Sequence, residues 1–129
     1  MTFGHGADPP HLPRRALIDA YGDGGFRFAG MSHRGSLLCF PDGVWAWPIN
    51  DARELTEDAF SAVFARADSL DFFLIGAGRE PWVLPAGLRQ RFRDVSLSVN
   101  TMATGAAVRT YNILLAENRR AGAGLIAVT

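Results

Sequence analysis

Apolar and polar positions change their rhythm near the middle of the chain. In the first half the apolar runs are short and broken by turn residues. Leu17–Tyr21 reads as a strand, Gly22-Asp23-Gly24-Gly25 as a turn, and Phe26–Ala29 as the returning strand. Ser36–Phe40 and Val44–Trp47 flank Pro41-Asp42-Gly43, a hairpin signal. Val44–Trp47 is apolar at every position, which predicts cover on both faces. The first half is therefore expected to be antiparallel.

The second half follows a helical period. Thr56 is a candidate N-cap, with Glu57 and Asp58 in the first turn, where carboxylates favour the helix dipole. Phe60, Val63, Phe64 and Ala67 fall on one helix face. Asp71–Ile75 reads as a buried strand that leads into Gly76-Ala77-Gly78. Pro85 suits the first turn of a second helix, with Leu84, Leu88 and Phe92 on one side and Arg89 and Arg93 on another. Leu97–Met102 is the next strand. Thr104 is placed to cap a helix running to about Arg120, Gly122 to end it, and Gly124–Val128 to form the last strand. Strand–helix–strand–helix–strand order favours parallel pairing with right-handed crossovers. The expected fold class is α/β with a mixed sheet, an antiparallel N-terminal half joined to a βαβαβ C-terminal half.

A length of 129 residues suits one domain. Residues 1–15 carry Pro9, Pro10 and Pro13 and are expected as a flexible arm before a single domain over 16–129. No apolar stretch there resembles a secretory signal, and none elsewhere approaches the roughly 20 residues of a membrane span. Basic and acidic residues balance at 13 each, which argues against nucleic acid as the main partner. Lysine is absent, removing Schiff-base, P-loop and Ser–Lys chemistry and suggesting a GC-rich bacterial source. The single Cys39 has no internal disulfide partner and implies a reducing, cytoplasmic setting.

Candidate chemistry gathers where strands of a parallel sheet end, because ligands bind beyond their carboxyl ends. Gly76-Ala77-Gly78-Arg79 follows one such strand, and Thr104-Gly105 follows another. If these strands are neighbours, the loops lie side by side. They then offer backbone N–H groups, a helix N-terminus and Arg79 to a carboxylate or phosphate. The alternative is a tight turn with no ligand. A helix terminus contributes about 0.3–1 kcal/mol, whereas micromolar affinity needs about 8 kcal/mol. An arginine and an enclosed pocket are therefore required. Arg109 lies across its helix from Ala107, Tyr111, Leu114 and Leu115. It is read as a solvated residue, an interface residue, or one curling back to the Gly76–Gly78 loop; Thr110 and Asn112 share that ambiguity.

Proton-transfer partners are scarce. His5, His11 and His33 show no metal-ligand spacing, and no metal or cofactor is expected. Cys39 sits in an apolar strand and reads as inert, unless Arg34 activates it. Ser32 and Ser36 have no nucleophile-elbow context. Trp45 and Trp47 share one face of a strand, as core residues or as anchors of an interface.

Three segments carry a family resemblance: Ile18–Gly22 with Gly24-Gly25-Phe26, Leu74–Gly78, and Met102–Leu114 continuing to Glu117-Asn118-Arg119-Arg120. The sequence resembles the Mth-type domain family of unknown function, which includes mitochondrial complex I assembly factor 3 and the adipogenesis-associated Mth-type domain protein. The resemblance spans roughly Leu17 to Val128. It implies a three-layer α/β domain and a non-enzymatic role through protein partners, with respiratory-complex subunits as candidates. It carries over no catalytic residue. The alternative, from the residues themselves, is a protein or enzyme that takes a small anionic ligand at Gly76, Gly78, Arg79, Thr104, Gly105 and Arg109.

Overall fold

Bulky apolar residues on both sides of one strand require cover on both sides of the sheet that contains it, and this organises the domain. A computed structural model of the chain describes residues 9–129. Strands β1 (Ala20–Gly22), β2 (Gly25–Phe28) and β3 (Met31–Arg34) form an antiparallel three-stranded sheet. Strands β4 (Ser36–Phe40), β5 (Gly43–Trp47), β6 (Phe72–Gly76), β7 (Ser98–Met102) and β8 (Ala121–Leu125) form a second sheet in the order β5-β4-β8-β6-β7. β4 pairs antiparallel with β5 and β8, whereas β6 runs parallel to both β7 and β8. Helices α1 (Ser61–Ala65), α2 (Ala86–Asp94) and α3 (Thr104–Ala116) complete the chain. The mixed sheet and the βαβαβ half are as the sequence leads one to expect.

Side-chain alternation divides the core in two. Leu38, Phe40, Trp45, Trp47, Phe73 and Ile75 face α1 and α2, where Phe60 and Phe92 close the layer. Leu37, Cys39, Val44, Leu74 and Leu125 face the opposite way, against α3 and against Phe26 and Phe28 of the small sheet. Phe73 and Phe92 are stacked with ring centroids 6.2 Å apart, and Phe60 stands edge-on to both. Burial of each such ring contributes on the order of 1.5–3 kcal/mol.

Several local expectations are corrected. β1 begins at Ala20, not Leu17, and Met31–Arg34 is a strand the pattern conceals. Its Ser32, His33 and Arg34 lack apolar alternation; pairing with β2, with Phe26 opposite His33, makes it a strand. The Thr56 helix is a 3-10 turn (Glu57–Phe60), the single turn and a half of α1, and another 3-10 turn (Ala67–Ser69). Thr56 makes no side-chain capping bond. α3 stops at Ala116, and Gly122 lies inside the last strand rather than before it. That strand, Ala-Gly-Ala-Gly-Leu, is central because its neighbours fill the space: a Cβ on Gly124 would stand 2.7 Å from the Trp47 ring. Ala46 is exposed, so β5 is not covered throughout. Of the expected arm, residues 1–8 lie outside those described. His11 and Leu12 are held rather than loose: His11 N–H donates to Val44 O, and Val44 N–H donates to Leu12 O, both at 2.9 Å. The outer edge of β5 offers those backbone groups because no described strand pairs there.

Candidate functional site

β6 and β7 are parallel neighbours, so the bends that follow them meet at one rim of the sheet. Gly76 ends β6, and Gly78 turns the chain with φ of 107°, a backbone region that disfavours residues with a Cβ. Five backbone and side-chain bonds fasten the bends together. Ala77 N–H donates to Met102 O (2.9 Å), Thr104 N–H to Gly78 O (2.8 Å) and Ile126 N–H to Gly76 O (2.8 Å). The Thr104 hydroxyl donates to Ile126 O at 2.7 Å and accepts from Gly78 N–H at 3.0 Å. Thr104 is 0% exposed. Its proton is committed to a carbonyl and its oxygen to an amide, so it acts as a clamp and not as a nucleophile.

The six residues singled out at this rim therefore separate. Gly78, Arg79, Gly105 and Arg109 line one open depression of about 450 Å³, together with Tyr21 and Thr129. Gly76 and Thr104 sit behind it. Arg79 donates to the main-chain oxygen of Thr129 and, at 3.0 Å, to its hydroxyl. Arg109 is exposed at the mouth, with no carboxylate within ion-pair distance among the described residues. The lining contains no side-chain carboxylate, imidazole or thiol. Such a lining attracts an anion by charge and has no conventional acid–base pair.

The other candidates are absorbed by packing. Trp45 and Trp47 are 5% and 2% exposed. Trp47 Nε1–H donates to Ala59 O at 3.1 Å, and Arg66 lies 4.7 Å over the Trp45 ring. Their place in the core corrects the interface alternative. Cys39 is fully buried and its thiol is pushed up to about 12 by loss of hydration. Ser36 resembles Thr104 in use: its hydroxyl donates to Ile49 O (2.6 Å) and accepts from Ala127 N–H (3.0 Å). The His33 ring lies 4.9 Å from that of His11, tilted by 52°, and contacts Ser36 O at 3.3 Å. Burial, then the His11 charge, hold His33 below the ordinary imidazole value. Among the described residues no group of three His, Cys, Asp or Glu is placed to hold a metal ion. Asn112, ambiguous by sequence, clips α3 to the segment before β1: its amide bonds both Ile18 N–H and Ile18 O at 2.9 Å. An asparagine inside a helix is the signal that marks it, since the residue is otherwise unfavourable there.

This architecture, a mixed five-stranded sheet between helices on one face and a helix plus small sheet on the other, is the Mth938-like α/β class. The solution structure of a Mth938-like domain from Bordetella pertussis shares it, with TM-score 0.76 and 24% identity over 94% of this chain and 90% of that one. The chain belongs to the family described as "Protein of unknown function (DUF498/DUF598)", whose model matches residues 18–126. It is similar to the crystal structure described as an outer membrane protein from Bartonella henselae, with TM-score 0.88 and 48% identity over 92% of this chain and 100% of that one. An uncharacterized protein of Rhodobacter capsulatus is 38% identical over 84% of this chain and 82% of its own length. The mouse NADH dehydrogenase [ubiquinone] 1 alpha subcomplex assembly factor 3 is 28% identical over 89% of this chain. The match spans 62% of that assembly factor, somewhat under two thirds. No helix of the described residues is long and apolar enough to cross a membrane.

Proposed function

We propose that this chain works in the cytoplasm by binding other proteins, as an assembly factor-like domain whose partners are subunits of a respiratory or membrane complex. The observation that carries this reading is the kinship with assembly factor 3 across 89% of the chain. The structure agrees with it chemically: the hydroxyls at the sheet rim and on β4 are spent on backbone groups, and the open depression lacks a conventional acid–base pair. The test is gentle capture of a tagged chain from its source bacterium, with native-gel analysis of membrane complexes after its deletion. Enrichment of complex subunits and a drop in assembled complex are expected. A chain that returns alone, with complex levels unchanged on deletion, would remove the reading.

A second reading rests on Arg79 and Arg109 beside the first turn of α3. In it, the depression takes a small phosphate- or carboxylate-bearing metabolite, and turnover would need groups brought by that ligand. Calorimetry on the wild type, Arg79→Ala and Arg109→Ala tests it. Saturable heat lost in Arg109→Ala supports it; no heat, or identical heat from all three, removes it.

A further inference from the structure

The five-stranded sheet ends differently at its two edges. At β5 the chain bridges its own edge through Leu12 and Val44. At the other end, among the described residues, β7 pairs with β6 alone. Met102 O accepts from Ala77 N–H, so the polar backbone groups of Met102 face β6. Backbone groups alternate sides along a strand, which turns those of Thr101 and Val99 outward. No described strand meets them. The sequence of β7, Ser-Val-Asn-Thr-Met, contains no proline and no charge, two devices that commonly block an edge.

A groove of about 510 Å³ runs over this edge and is lined from both faces of the sheet: Phe92 and Val99 on the α2 side, Phe72 and Ser98 on the other. Its charged lining residues are Arg89 and Arg93. Both are exposed, and among the described residues neither has a carboxylate within ion-pair distance. One helical turn apart, they are separated by about 6 Å of helix rise. Alternate residues of an extended strand are separated by about 6.6–6.8 Å. A strand with carboxylates at every second position therefore matches the arginine spacing. A second copy of this chain matches poorly, because pairing β7 with β7 brings two uncompensated arginine pairs to one edge.

We propose that the outer edge of β7 receives an extended acidic segment of a partner protein as a sixth strand, with alternate carboxylates on Arg89 and Arg93. The proposal rests on the protein-binding reading above and gives it a surface and a partner chemistry. Backbone bonds supply the pairing, and the two arginines select acidic over neutral or basic strands.

The test uses the full chain and a labelled peptide of alternating glutamate and valine, beside its glutamine and arginine counterparts. Amide exchange should be fast at Val99 and Thr101 in the free protein and slowed at both by the glutamate peptide. That peptide should bind about two- to thirtyfold tighter than its glutamine counterpart. The double variant Arg89→Gln/Arg93→Gln should erase the preference. Thr101→Pro removes an outward donor and no bond to β6, and should abolish binding; a thermal melt checks that it folds. If it does not, the exchange data and the double variant still decide. No binding of the glutamate peptide, equal binding of all three peptides, or protection away from β7 would overturn the proposal. Concentration-dependent protection of Val99 and Thr101 without peptide would overturn it in favour of a second copy. Native capture with Thr101→Pro separates the two levels. Equal recovery of partners by variant and wild type ends the edge proposal alone, whereas no partner with either protein ends the protein-binding reading.

Discussion

Replacing Thr104 with valine keeps the shape of the side chain and deletes its hydroxyl. The hydroxyl bonds Ile126 O at 2.7 Å and Gly78 N–H at 3.0 Å, and the residue is 0% exposed. Loss of one partner costs a buried polar group about 1–3 kcal/mol. The Ile126 carbonyl is the deeper of the two and takes the larger share; Gly78 N–H is only partly buried, and water recovers some of its loss. The expected destabilisation of Thr104→Val is about 2–4 kcal/mol. For a domain of this size each kcal/mol corresponds to about 3–5 °C, so the melting temperature should fall by roughly 6–20 °C. Thr104→Ser retains the hydroxyl and loses one buried methyl, worth about 1 kcal/mol. Urea unfolding followed by circular dichroism, at constant m, should therefore rank wild type above serine and serine above valine. A valine variant as stable as the serine variant would refute the clamp and free the Thr104 hydroxyl for a chemical role.

The remaining predictions address packing, the thiol and pH. Gly124→Ala places a methyl against the buried Trp47 ring and should cost about 1–3 kcal/mol; Gly87→Ala, with open space around it on α2, should instead stabilise by up to about 1 kcal/mol, both read from urea midpoints. Cys39, with its thiol pushed up to about 12, should stay unlabelled by a thiol reagent at pH 8 and react only as the chain unfolds. His33 titrates below its ordinary 6.5 in the folded chain, so the unfolded chain binds the proton first. Its contribution to stability is complete above pH 6.5 and is lost as pH falls through the folded value. The melting temperature should drop on acidification below pH 6.5, and His33→Gln should flatten that slope.

Much of the architecture is legible because periodicity reports burial. Phe73 and Ile75 alternate with Leu74, and the two sets end in opposite cores. The order of strands and helices after Asp71 suffices for parallel pairing, which places Gly78 and Gly105 on one rim. Periodicity is silent where neighbours supply the burial. Ala121–Leu125 carries few large side chains, yet it is the middle strand, since Trp47 and Phe73 lean over its glycines. Met31–Arg34 is a strand by virtue of its partner alone.

The rim shows the same division. Residue types and spacing are enough to nominate Gly76, Gly78, Arg79, Thr104, Gly105 and Arg109, because glycine bends and a helix start after parallel strands are local features of the chain. What each nominee does depends on its hydrogen-bond partners, and these come from elsewhere in sequence: Ile126 for Thr104, Thr129 for Arg79, Ile18 for Asn112. Trp45 and Trp47 likewise read equally as core or interface until the 3-10 segment and α1 cover them. Backbone preference and burial pattern are written in neighbouring residues. The fate of a hydroxyl proton or a guanidinium is set by whichever distant group the folded chain brings within 3 Å, and no window along the sequence contains that distance.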